Sequence, residues 1–176
     1  MKLRQFVFIA TLLTAASIAG SGVHPHGSVL PDQPAGKAEV VDLNGLRNVE
    51  FGDTEQELTR RGVLRSDVDA CGPVLAEHEA VSPIFVDDRL VLLWVDDPTR
   101  TPEGVTVGTP ISEIWSSYSS VTRLHAPQGT YRLDGLLARR GDRAYLFLHD
   151  GKTVRKTIAG YAEWAQRLFD EGYGPC

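Results

Sequence analysis

The stretch NVEFGDTEQELTRRGV, residues 48–63, returns in altered form as GVTVGTPISEIWSSYS at residues 104–119. Each stretch contains a β-prone segment, a glycine, a polar helix start and then an apolar stripe. Glycine tolerates the backbone conformation of a tight turn, and polar residues at a helix start bind its free amides. The two stretches therefore predict one unit of strand, glycine turn and short helix that occurs twice.

Aligning the stretches indicates where the helices begin. Since Thr109 precedes Pro110, and proline is favoured at the first helical position, the alignment favours Asp53 as the N-cap of the first helix. Thr54, which has the capping-box spacing to Glu57, is the alternative N-cap. The aligned pairs are Val49 with Val105, Gly52 with Gly108, Asp53 with Thr109, Glu57 with Glu113 and Leu58 with Ile114.

A second pair of segments, DDRLVLLWVDD at 87–97 and GDRAYLFLHDG at 141–151, extends the comparison. Each opens with a polar turn and continues as a strand. A single unit of fewer than about 70 residues is marginal alone, whereas two units can share a core. We therefore predict an α+β fold of two tandem repeats, each a helix plus an antiparallel hairpin, that share a sheet. Repeat unit 1 spans 43–97, an acidic connector spans 98–104, and repeat unit 2 spans 105–176.

The last strong pattern is TIAGYAEWAQRLFDEG at residues 157–172. Its apolar residues recur at helical spacing, which predicts a C-terminal amphipathic helix that packs on the sheet. Acidic residues on its polar side argue against a helix at a membrane surface. The apolar positions are Ile158, Tyr161, Ala162, Ala165, Leu168 and Phe169.

Residues 1–19 have the layout of a secretory signal peptide: two cations, an apolar run and small residues. We predict cleavage after Ala19, with Ser21 and Gly22 as rival sites; an uncleaved anchor is the alternative. Residues 20–42 contain three prolines and no apolar period, which predicts a disordered leader. The predicted location is extracellular, with association with the cell wall as a further option.

Two cysteines, Cys71 and Cys176, predict a disulfide bond in an exported chain. The bond would close a loop of roughly 100 residues and contribute up to about 4.7 kcal/mol in the chain-entropy model. The alternative is a nucleophilic thiol that works with a histidine, but no local motif supports it.

Charge and motifs narrow the classes of function. The formal net charge of −5 becomes −7 without residues 1–19, which contain two basic and no acidic residues. Such a chain is a poor candidate for binding nucleic acid or anionic lipid. The common motifs of proteases, hydrolases and nucleotide-binding enzymes are missing from the sequence, so we expect no catalytic residues and no cofactor. His24, His26 and His78 lack the partners of a metal site.

Strand alternation divides the strong strands into two faces. One face is a predicted core, made of Leu90, Leu92, Trp94, Ala144, Leu146 and Leu148. The other face carries arginine and aromatic residues, the types enriched at interface hot spots. We therefore predict a partner-binding surface there, with the alternative that helices cover this face and make it core as well. The predicted binding residues are Arg89, Arg143, Tyr145, Phe147 and His149.

The V-x-[FV]-G-x-x-x-x-E-[LI] pattern around Gly52 and Gly108 resembles the repeat unit of the β-lactamase inhibitor protein and the BamE-like envelope proteins. The resemblance covers residues 46–156 and implies a tandem repeat whose sheet surface binds another protein, without catalytic residues. The family's inhibitor has a disulfide within each repeat, whereas a bond between Cys71 and Cys176 would link the two halves. This difference argues against β-lactamase itself as the target.

The sequence thus favours a secreted, non-enzymatic module that binds a protein partner, with inhibition of a secreted enzyme as its particular activity. One alternative is an envelope-associated structural protein that has no tight partner. Another is a small secreted hydrolase whose site is assembled from distant residues such as His125 and His149.

Overall fold

The protein is an α+β domain with three helices and mainly antiparallel strands in the part of the chain that the structure describes. The structure is a computed structural model, and it describes residues 38–66 and 72–172. The strands are β1 (Gly45–Leu46), β2 (Val49–Glu50), β3 (Leu64–Arg65), β4 (Val74–Leu75), β5 (Val81–Val86), β6 (Arg89–Val95), β7 (Val121–Leu124), β8 (Asp134–Arg140), β9 (Arg143–His149) and β10 (Val154–Tyr161). The helices are α1 (Glu55–Arg60), α2 (Ile111–Ser117) and α3 (Ala162–Glu171).

A six-stranded sheet in the order β5-β6-β10-β9-β8-β7 forms the centre of the fold. All neighbouring strands in it are antiparallel. The β9–β10 hairpin turns at residues 150–153, where the amide of Asp150 donates to the carbonyl of Thr153 at 3.3 Å. Strand β6 joins β10 through pairs such as Trp94 with Ile158. The first half of the chain therefore meets the second half at the β6–β10 pair, with two strands on one side of this junction and four on the other. Two small sheets, β1-β2 and β3-β4, complete the architecture.

Both faces of the large sheet are packed. On one face, Leu58 of α1 and Ile114 of α2 belong to the same apolar cluster as Phe147 of β9. On the other face, α3 packs Ala165 and Leu168 onto the sheet. Burial of apolar surface on two faces contributes most of the driving force for such a fold. The sequence-based alternative, in which both faces of the strong strands are core, is the arrangement that the structure shows.

The two glycine turns make matching backbone hydrogen bonds. The amide of Gly52 donates to the carbonyl of Leu90 at 2.9 Å, and the amide of Gly108 donates to that of Val154 at 2.8 Å. In return, the amides of Leu90 and Val154 each donate to the carbonyl of the residue after the glycine, both at 2.9 Å. The glycines have φ of 99° and 89°, a conformation that other residues adopt only with strain. By these bonds, β6 in the first half corresponds to β10 in the second half. The sequence alignment instead matched the segment of β6 with the segment of β9.

The N-cap of helix α1 is Thr54 and not Asp53, the residue that the alignment favoured. Thr54 is its N-cap, because the Thr54 hydroxyl accepts from the amide of Glu57 at 3.1 Å and the Glu57 carboxylate accepts from the amide of Thr54 at 3.0 Å. The hydrogen bonds that the Glu57 carboxylate accepts from the amide and the hydroxyl of Thr54 lower the pKa of Glu57 from its ordinary value. The Asp53 carboxylate instead accepts from the amide three residues earlier at 2.9 Å, and the Thr109 hydroxyl does the same at 3.0 Å. Asp53 and Thr109 thus make the same local contact, but they close turns and do not cap helices.

The described fold begins earlier than predicted. The predicted leader included residues 38–42, yet Val41 is fully buried and its amide donates to the carbonyl of Arg100 at 2.9 Å. The predicted connector at 98–104 is also packed, since Thr99 and Thr101 are buried. Both segments are ordered for the same reason: they hydrogen-bond to each other, as in the bond from the amide of Arg100 to the carbonyl of Glu39 at 2.9 Å.

The C-terminal amphipathic helix is confirmed, with a later start. Helix α3 begins at Ala162, and Ile158 and Tyr161 belong to strand β10. Apolar residues at those positions fit a strand buried on both faces as well as they fit a helix. The predicted signal peptide, most of the predicted leader, and both residues of the predicted disulfide lie outside the described residues.

Candidate functional site

The structure separates the five predicted binding residues into two groups. Tyr145, Phe147 and His149 are 2%, 0% and 6% exposed. They lie on the sheet face that α1 and α2 cover, so they are not available to a partner, and this part of the prediction is wrong. Arg89 is exposed and Arg143 is partly exposed. The two arginines come first in β6 and β9, where the side chains reach the edge of the core.

These two arginines lie around one tyrosine at the start of helix α3. The guanidinium of Arg143 lies 3.6 Å from the ring centroid of Tyr161 and 5.9 Å from that of Phe51. Arg89 donates to the carbonyl of Gly52 at 2.9 Å, next to the same aromatic pair. A guanidinium over an aromatic face is an attractive arrangement that also holds both groups in place.

Arg89, Arg143, Tyr161 and Trp164 together form what we call the arginine–aromatic patch. Arg89, Tyr161 and Trp164 line an open cleft of about 400 Å³ together with Val86, Asp87 and Val91. Arg143 adjoins the cleft through its stacking on Tyr161. The patch therefore presents rigid aromatic and cationic groups around a depression, which is a suitable arrangement for contact with another macromolecule.

A second cleft, of about 320 Å³, lies at the opposite end of α3. We call it the cationic cleft: Arg132, Arg155 and Lys156 surround Trp94, Leu148 and Phe169. The ammonium of Lys156 lies 5.3 Å from the Trp94 ring centroid, and the guanidinium of Arg132 lies 5.5 Å from that of Phe169. Among the described residues, no acidic side chain lines this cleft.

The histidines of the hydrolase hypothesis do lie near one carboxylate. His125 is 3.5 Å from Asp134, and Asp134 pairs with His149 across strands β8 and β9. The Nδ1 atom of His149 accepts from the amide of Gly151 at 3.1 Å, and its Nε2 atom is buried without a partner in the described structure. Burial lowers the pKa of His149 from its ordinary value. Because the His149 ring is only 6% exposed, it is not accessible to a substrate, so this cluster gives no support to the hydrolase hypothesis.

Two tyrosine hydroxyls, one buried and one partly buried, make a further set of polar contacts. Tyr118 donates to Glu103 at 2.7 Å and contacts the hydroxyl of Thr101 at 2.8 Å, and Tyr145 donates to the carbonyl of Val41 at 3.3 Å. Burial raises the pKa of both tyrosines above the ordinary value. Both phenols therefore stay protonated at neutral pH and serve as hydrogen-bond donors that hold the N-terminal segment and the connector against the sheet.

Within residues 38–66 and 72–172, no group of three or more histidine, cysteine, aspartate or glutamate side chains could hold a metal ion. His78 has a structural partner, since its Nδ1 atom lies 2.8 Å from the carboxylate of Glu39. In the same ranges, no helix has the length and apolar composition needed to cross a membrane.

Comparison of the chain with models of protein families, with curated proteins and with solved structures finds no match. The site must therefore be interpreted from its own residues. Sequence reasoning found Arg89 and Arg143, but it missed Tyr161 and Trp164 because it assigned them to a helix packed on the sheet. The aromatic spacing Tyr161-x-x-Trp164 at a helix start was the signal that could have found them.

Proposed function

We propose that the protein is an exported, non-enzymatic module that binds a protein partner through the arginine–aromatic patch. The stacking of Arg143 on Tyr161 at 3.6 Å, beside the open cleft, is the observation that carries the proposal. Arginine, tyrosine and tryptophan are the residues most enriched at interface hot spots. Stacking also holds the side chains in position before binding, so a partner loses less entropy when it orders them.

The fold supports this proposal if it is a doubled unit, as we infer. The two glycine turns share their hydrogen bonds and their φ angles, and each is fixed to the start of a central strand, β6 or β10. The two isolated bridges repeat the relation: Thr54 faces Arg89, and Pro110 faces Thr153. An antiparallel contact between β6 and β10 would then lie on an approximate twofold axis between two copies.

The patch breaks this internal symmetry. Where the first half has Arg89 opposite Thr54, the second half has Thr153 opposite Pro110. If arginine at that position served only the fold, both halves would be expected to need it. Its presence in one half alone favours a role in binding over a role in stability.

The resemblance to the β-lactamase inhibitor protein and the BamE-like proteins gives the same class of function. In this proposal a secreted enzyme is the partner, and occupation of its surface by the patch is the means of inhibition. The acidic net charge of −5 suits a secreted protein that must stay soluble. The patch itself carries both signs of charge, since Arg143 lies 2.6 Å from Asp142 and Asp87 lines the open cleft. Its arginine and aromatic side chains would therefore select a partner with a complementary polar and aromatic surface.

Affinity capture tests the proposal. The oxidised chain without residues 1–19 is immobilised, and the secreted proteins of its own culture and a panel of class A β-lactamases are passed over it at moderate salt. We expect a stoichiometric partner that the wild-type chain retains and that the Arg143→Gln variant loses. An activity assay on that partner then separates an inhibitor from a scaffold.

Arg139→Gln is the matched control for this experiment. Arg139 is an exposed arginine of β8, and it lies outside the patch. The proposal fails if no protein is retained, or if the two variants retain the same partner equally well. Circular dichroism on each variant shows whether a loss of binding reflects a loss of fold.

A further inference from the structure

The cationic cleft is distinct from the patch and has its own binding chemistry. Its volume of about 320 Å³ is at the lower end of the range of small-molecule sites, which are mostly apolar with a few convergent polar groups. The cleft has that composition: Trp94, Leu148 and Phe169 supply apolar walls, and the basic side chains surround them.

A β-bulge directs two successive cations into this cleft. In strand β10, Val154 pairs with His149 and Lys156 pairs with Leu148, so Arg155 is an extra residue in the ladder. Successive residues of a regular strand point to opposite faces, yet Arg155 and Lys156 both line the cleft. Bulges often re-aim a side chain next to a functional site. The bulge in β10 thus adds a second cation, next to Lys156, to the lining of the cleft.

The counter-ions of these cations lie outside the cleft and at the surface. Lys156 pairs with Asp96, and Arg155 lies 3.9 Å from Asp150. The two aspartate side chains are 52% and 40% exposed, and ion pairs at such positions contribute little to stability. Because neither aspartate lines the cleft, an anion placed between Arg155 and Lys156 could replace these weak partners.

Arg132 completes the charge at the other side of the cleft. It donates to the carbonyl of Asp170 at 3.4 Å, near the C-terminal end of helix α3. That end of a helix carries partial negative charge, which Arg132 offsets. The guanidinium keeps further N–H groups for a fork-shaped contact with a carboxylate.

We propose that the cationic cleft binds a small organic anion in which one carboxylate is attached to an apolar body. The apolar body packs between Trp94, Leu148 and Phe169, and the carboxylate is held by Arg155 and Lys156, with Arg132 opposite. A phosphate or a sugar lacks the apolar body that these walls require. A neutral apolar molecule would leave the three cations without a new partner.

Isothermal titration calorimetry with decanoate tests this site on the full chain without residues 1–19. We expect saturable binding of one decanoate per chain at concentrations below about 1 mM. The double variant Arg155→Gln/Lys156→Gln is expected to bind at least about tenfold more weakly, because charge-assisted hydrogen bonds are lost. Decanol, which has the same body without the charge, is expected to bind as weakly to the wild-type chain as decanoate binds to the double variant.

Lys152→Gln is the control. Lys152 is an exposed cation of the same hairpin that does not line the cleft, so decanoate affinity is expected to stay within about twofold of wild type. The proposal is overturned if decanoate does not saturate, or if the double variant binds it as tightly as wild type.

Discussion

Replacing Phe147 by alanine is expected to destabilise the fold strongly. The side chain is fully buried, and its ring centroid lies 5.4 Å from that of Tyr118 and 5.7 Å from that of Tyr145. Truncation of a buried phenylalanine costs about 3–5 kcal/mol, because apolar contact is lost and a cavity remains. The loss of two ring contacts, each worth about 0.5–1.5 kcal/mol, is part of this cost, and a total of about 4 kcal/mol is expected. The whole domain is expected to be stable by only about 5–15 kcal/mol.

Urea unfolding measured by fluorescence and circular dichroism checks this prediction. With an m-value of about 2 kcal/mol/M, a loss of about 4 kcal/mol lowers the urea midpoint by about 2 M. Trp115→Ala is the control, since Trp115 is 42% exposed and its truncation should lower the midpoint by less than about 0.5 M. A Phe147 variant that unfolds at the same urea concentration as the Trp115 variant would refute the placement of this strand face in the core.

Three further predictions concern the helix cap, the sheet centre and the buried imidazole. Thr54→Ala removes the capping box and should lower the free energy of unfolding by about 1 kcal/mol in urea titrations. Gly160→Ala should cost at least about 2 kcal/mol in the same assay, because a β-carbon at this φ of 145° would lie 2.2 Å from the carbonyl oxygen of Val91; a smaller loss would contradict the close approach of β6 to β10 at this position. For His149, burial lowers the folded-state pKa, so the unfolded chain binds the proton first as the pH falls below about 6.5. Stability should therefore decrease between pH 7 and pH 5, and His149→Gln should reduce that pH dependence; an unchanged dependence would contradict the burial of the ring.

The sequence predicted the class of fold because its local signals are strong. The glycines at 52 and 108 and the polar helix starts after them depend on nearby residues alone. Each of these signals restricts the backbone to a few conformations, such as the positive φ that glycine adopts in a turn. Helix α3 also followed from spacing, although its first residue lies later in the chain than the spacing predicts.

Which face of a strand is exposed could not be predicted from alternation alone. Tyr145 and Phe147 alternate with Leu146 and Leu148, and both sets are apolar. A strand that is covered on both faces shows such a continuous apolar run, and the covering elements, α1, α2 and α3, come from distant parts of the chain. The prediction that Val41 belongs to a disordered leader was wrong for the same reason. Its burial depends on a contact with Arg100, which is distant in the sequence.

The candidate sites depend on contacts between residues that are far apart in the sequence. Arg143 meets Tyr161 only because β9 and β10 pair in the observed register. Arg155 lines the cationic cleft because of the bulge after Val154. No local pattern in the sequence of residues 154–156 predicts this bulge. Sequence reasoning could therefore supply residue types suited to binding, but it could not supply their arrangement.

The binding affinity of the captured partner for two tryptophan variants tests the central claim most directly. Trp164 lines the open cleft of the patch, whereas Trp115 lies on α2, which packs on the other face of the sheet. If the patch is the binding surface, Trp164→Ala should weaken binding by about thirtyfold, the loss of about 2 kcal/mol that marks a hot spot. Trp115→Ala should then change the affinity by less than about threefold. Equal affinities for both variants, or a larger loss for Trp115→Ala, would contradict the assignment of the arginine–aromatic patch as the site of partner binding.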